Sequence, residues 1–121
     1  MNYILTTLAF FIGVLLPVQV GVNAELARHI NSSVLAALVS FLVGGMCLIL
    51  GAAVFKAPLP TFAQVVSLPA WLWGGGLIGA LVVLGSIVAG PKIGALALVS
   101  LLLAGQLVAS ILIDHYGWLG F

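Results

Sequence analysis

Hydrophobic and polar positions divide the chain into four long apolar runs separated by short punctuation. The runs cover Tyr3 to Ala24, Ser33 to Phe55, Ala70 to Gly90 and Ile93 to Asp114. Each comes close to the roughly 20 residues that cross a hydrocarbon core of about 30 Å at a rise of 1.5 Å per residue. The apolar positions are continuous rather than alternating, which excludes membrane strands. A backbone in lipid must satisfy its own hydrogen bonds, so all four runs are predicted helices. The first can continue to Arg28. The pattern therefore predicts an all-α integral membrane protein, a four-transmembrane-helix bundle with residues 1–121 as one transmembrane domain.

The punctuation sets the connections. Asn31-Ser32-Ser33 supplies N-cap chemistry for the second helix. The stretch from Lys56 to Pro69, with Pro58 and Pro60, reads as an interfacial loop. In Gly90-Pro91-Lys92, Gly90 can end the third helix and Pro91 suits the first turn of the fourth, making an antiparallel hairpin. Tyr3, Trp71, Trp73, Tyr116 and Trp118 fall near span ends, where interfacial aromatics belong.

Composition agrees with this pattern. The 121 residues are 64% hydrophobic and 4% charged, with a mean hydropathy of +1.43. Soluble domains carry about 25% charged residues, so this chain cannot cover itself with a water-facing surface. A net charge of +1 gives no electrostatic footprint for nucleic acid. The lone Cys47 excludes an intrachain disulfide. Val22-Asn23-Ala24 loosely imitates a signal-peptidase site, but the first residues lack Lys or Arg and the apolar run exceeds a usual signal core.

Charge gives almost no instruction about orientation. One side of the membrane would hold Lys56, and the other Arg28 and Lys92, a difference of a single Lys/Arg residue. Either partners or lipids fix the topology, or the chain inserts both ways and pairs with an inverted copy, the architecture of many secondary transporters.

Polarity gathers at a few positions. Pro17 removes a backbone donor from the first helix and is expected to bend it. Gln19 and Asn23 then share one face, with Gln19 still inside the hydrocarbon and Glu25 near the interface. Glu25 and Arg28 form a candidate interfacial ion pair; Asp114 is the other candidate coupling carboxylate. On the fourth helix Gln106, Ser110 and Asp114 make a polar stripe. Two readings stand. Gln106 bonds Gln19 or a backbone group and holds the bundle together, or both amides line a cavity and, with Asn23 and Ser110, bind a solute.

Other motifs are weaker. Gly74 to Gly79, GGGLIG, matches a dinucleotide fingerprint literally, but it lies inside a span with no preceding strand. Gly75 and Gly79, roughly continued by Ser86 and Gly90, instead form a small face for helix packing. Ser40, Gly44, Cys47 and Gly51 form a similar stripe. Asp114-His115 lacks a nucleophile–base–orienter set, and His29 and His115 make no metal-ligand pattern. No enzyme, cofactor or metal site is indicated.

The blocks PVQVGVNAELARHINSSVLAALVSFLVG and PKIGALALVSLLLAGQLVASILIDHYGWLG bracket nearly the whole chain. They resemble a small bacterial inner-membrane family of the drug/metabolite transporter superfamily, long catalogued as a domain of unknown function. The resemblance implies half-sized transporter units in the inner membrane, pairing as antiparallel homodimers or as heterodimers with an oppositely oriented paralogue. It also suggests kinship with small multidrug-resistance exporters, which place a buried glutamate roughly where Gln19 falls here. An amide cannot exchange a proton, so that exporter chemistry is missing unless Glu25 or Asp114 reaches the site. Family members usually add one more helix after DHYGWLGF; the expectation is a four-helix form or a truncated product.

Together these readings give a transporter half. A dimer would move a small polar organic solute through a chamber lined by Gln19, Asn23, Gln106 and Ser110. The alternative is a non-transporting membrane assembly subunit that uses the same small faces for fixed contacts.

Overall fold

The computed structural model describes residues 2–121. They form helices α1 (Tyr3–Ile30), α2 (Ser33–Val54), α3 (Phe62–Ser67), α4 (Gly74–Ile93) and α5 (Ala95–Tyr116), with 3-10 turns at Ala70–Trp73 and Trp118–Gly120. α1, α2, the Ala70–Ile93 segment and α5 are long and apolar enough to cross a membrane. The chain is an all-α, four-helix membrane bundle. The short α3 lies between its two halves.

Local chemistry explains most boundaries. The Asn2 side chain starts α1 by accepting from Ile4 N at 3.1 Å and Leu5 N at 3.3 Å. α1 passes through Pro17 and runs to Ile30, beyond the expected end. Asn31, at φ +62°, stops it in the left-handed conformation that asparagine tolerates. The cap expected from Asn31-Ser32-Ser33 is thus divided. Asn31 closes α1, while Ser32 opens α2 by accepting from Leu35 N at 3.1 Å.

The second hairpin turns later than its sequence suggested. Gly90 does not end α4, and Pro91 does not begin α5; both lie inside α4, which continues to Ile93. Proline's fixed φ suits a helix, and near the end its missing N–H sacrifices only one bond. The break falls at Gly94, whose φ of +88° and ψ of +153° are essentially restricted to glycine. Gly94 N still donates to Gly90 O at 2.8 Å, and Leu98 N donates to Gly94 O at 3.0 Å. One residue therefore joins two spans.

The stretch expected as a plain loop contains α3. Thr61 Oγ1 accepts from Gln64 N at 3.2 Å, and Gln64 Oε1 accepts from Thr61 N at 2.9 Å. This reciprocal capping box satisfies two donors of a helix too short to stand on propensity alone.

Packing concentrates beside the two tight turns. The buried residues are Asn23 and Ala24 of α1, Ala36 and Ala37 of α2, Ser86, Ile87 and Gly90 of α4, and Leu98 of α5. All are near the α1–α2 or α4–α5 connection, hence at one end of the bundle. Lipid tails are as apolar as leucine, so close helix approach depends on small residues there. Ala36 is 0% exposed and packs with Ala37 and Ile87, flanked by Leu26, Ala27 and Val83. A Cβ on Gly90 would lie 2.9 Å from Val20 Cγ1 and 3.4 Å from Leu98 Cδ2. Its absence lets α4 approach both α1 and α5.

Candidate functional site

Residues spaced by three or four place one face each of α1, α4 and α5 around a common groove of about 320 Å³. α1 contributes Gly13, Leu16, Gln19, Val20 and Asn23; α4 contributes Val82, Val83, Ser86 and Ile87; α5 contributes Val99, Leu102, Leu103 and Gln106. The volume lies at the lower end of the about 300–1,000 Å³ common among small-molecule pockets. The lining is aliphatic apart from four polar side chains, and none of its residues is charged. The Gly90 contacts bring α4 against Val20, a wall residue, so the packed end also fixes the spacing of this groove.

The polar groups differ in availability. Ser86 Oγ donates to Val82 O at 2.7 Å, leaving only acceptor capacity toward the groove. Gln19 and Gln106 are exposed groove residues. Asn23 is only 5% exposed and lines the groove, and among the described residues no fully buried side-chain nitrogen or oxygen lacks a hydrogen-bond partner. It lies about 10 Å along the axis from the middle of α1, within the depth of a bilayer leaflet. At that depth a carboxamide facing the recess favours a hydrogen-bonding neighbour. Pro17 also cannot donate to the Gly13 carbonyl, and Gly13 belongs to the same wall.

The structure brings Gln19, Asn23 and Gln106 together and adds Ser86, which the sequence suggested only for packing. Ser110 lies one turn beyond Gln106, outside the groove lining, and Asp114 lies another turn beyond. Glu25 and Arg28 are also outside it. Arg28 Nη2 donates to the Glu25 carboxylate as an exposed pair at the end of α1. His29 Nδ1 lies 2.9 Å from Glu25 O; because a carbonyl only accepts, this bond requires the proton on Nδ1. Arg28 and Lys92 meet instead at a second, shallower depression of about 370 Å³, with Asn31, Ser32 and Ser33.

The proposed small-residue face is discontinuous within the chain. Ser86 and Gly90 are buried, and a Cβ on Gly79 would touch Phe41 at 3.6 Å. Gly75, Gly44 and Gly51 would meet nothing within 4 Å among the described residues. The neighbouring helix each face meets separates these glycines, since Gly85, beside buried Ser86, would also meet nothing within 4 Å among the described residues.

Fold and groove define a multi-pass membrane protein with an intramembrane recess large enough for a small molecule. Residues 4–121 match the family model described as "Putative inner membrane exporter, YdcZ". The chain belongs to this family and is a multi-pass inner-membrane protein of an exporter class, rather than an enzyme class. No curated protein and no solved structure matched the chain.

Proposed function

We propose that this chain is one half of an exporter that moves a small organic solute with hydrogen-bonding groups through the α1–α4–α5 groove. Two copies, or one copy and an oppositely oriented paralogue, enclose the path. The observation carrying this reading is the convergence of Gln19, Asn23 and Gln106 on an otherwise aliphatic recess, with Asn23 only 5% exposed at its wall. Amides used only as helix glue would bond one another or the backbone. These amides remain available to a passing solute or to water.

The nearly balanced loop charges support pairing of opposed copies, because neither orientation is strongly favoured. No carboxylate lines the groove, so Glu25 and Asp114 lie outside the proposed solute path.

A ligand that binds only the folded state raises its stability. A thermal-shift screen of purified protein with amines, amides, sugars and amino acids provides hits, and counterflow in proteoliposomes measures their movement. Gln19→Leu should remove the shift and reduce flux at least tenfold while leaving a folded, inserted protein. Unchanged flux would remove Gln19 from the path. Reporter tags at both termini and beside Lys56 should reveal two orientations. A single strict orientation together with a stable larger partner would favour an assembly subunit instead.

A further inference from the structure

We infer that the groove selects uncharged amphiphiles, with a compact amide or alcohol head on an aliphatic body; this inference rests on the groove being the solute path. The Asn23 carboxamide both donates and accepts, and it lies 5% exposed in the groove wall. Gln19 and Gln106 extend the same neutral hydrogen-bonding surface, while Ser86 offers only an acceptor. These groups match a head that donates and accepts without carrying charge. The remaining surface, including Val20 and Ile87, is aliphatic.

Charged solutes find no compensation there. The wall has no carboxylate to pair with a cation and no aromatic face to replace its water. An anion finds no basic residue either, because Arg28 and Lys92 border the separate depression at the end of the bundle. A second copy of this chain adds another wall of the same neutral composition. Burying an unpaired charge is far more costly than burying a hydrogen-bonded neutral head. The groove therefore discriminates mainly by charge, with the aliphatic wall contributing affinity.

The test uses the full chain in lipid nanodiscs and four probes with one hydrocarbon body: hexanamide, 1-hexanol, hexylammonium and hexanoate. Thermal-shift titrations at pH 7 compare the native protein with Asn23→Leu, Gln106→Leu and Gln106→Glu. The difference between native and variant responses removes simple partitioning into lipid. Hexanamide and hexanol should stabilise the native protein saturably, with apparent Kd values at least tenfold below those of the two ions. Gln106→Glu should tighten hexylammonium binding at least tenfold.

Gln106 is exposed, so its variants retain the measurement even if the buried Asn23→Leu change prevents folding. Equal native affinity for hexylammonium and hexanamide, both lost in a groove variant, would overturn the neutral-solute inference and leave the solute path intact. Responses insensitive to every groove substitution, or no response to any probe, would overturn both.

Discussion

At the end carrying the two tight turns, α1, α2 and α4 meet through alanine, serine and glycine around Ile87. From the middle of α2 to the opposite end of the bundle, Gly44, Gly45 and Gly74 to Gly76 would accept a Cβ with nothing within 4 Å among the described residues. Both regions are rich in small residues, but only one is closely packed. Small side chains permit approach without enforcing it. At the turn end, the single-residue joint and the short Asn31-Ser32 link hold neighbouring helices together, and small residues allow that closeness. Farther away the chain supplies less restraint, leaving glycine surface available to lipid or another copy.

The largest test of this contrast is Ala36→Leu, because Ala36 is 0% exposed at the packed end. Overpacking typically costs about 1–3 kcal/mol and sometimes more. The expected result is a marked fall in the melting temperature of detergent-purified protein; an unchanged value would argue against a crowded turn end.

Gly90→Ala should have a smaller effect. Its new methyl would lie 2.9 Å from Val20 Cγ1, but alanine recovers about 1 kcal/mol of helix preference over glycine. We expect net destabilisation of about 1 kcal/mol. A Gly90→Ala/Val20→Ala pair should be less unstable than the sum of its single changes, because the clash has been removed. Additive losses would place the effect elsewhere.

At the open end, Gly75→Ala should raise monomer stability by at most about 1 kcal/mol through reduced backbone freedom. Melting in dilute detergent checks this sign. A gain there combined with loss of crosslinked dimer in liposomes would place a second copy against the glycine surface. Equal behaviour in both media would leave lipid as its neighbour.

The strongest sequence signals concern solvent and periodicity. Continuous apolar runs must become helices in a bilayer, and Gln19 and Asn23 share a helical face wherever that helix ends. Gln106 was also recognisable because a mid-span amide needs a partner. Junctions were less legible because neighbouring residues compete for capping roles. Gly90 offered the helix end in the sequence, but Gly94, within the expected fourth span, adopts the positive-φ turn. Ser86 looked like another small packing residue, and its groove position became evident only through the approach of α1 and α5. Ser110 had the right periodicity, but the groove ends before its turn of α5.

The single-residue joint also acts as a rotational clock for α5. Adding one residue after Gly94 while preserving the bend would advance the helix by about 100°, carrying Gln106 away from the recess without changing a wall side chain. The chemistry presented to a solute is therefore encoded partly by the number of peptide units between two spans.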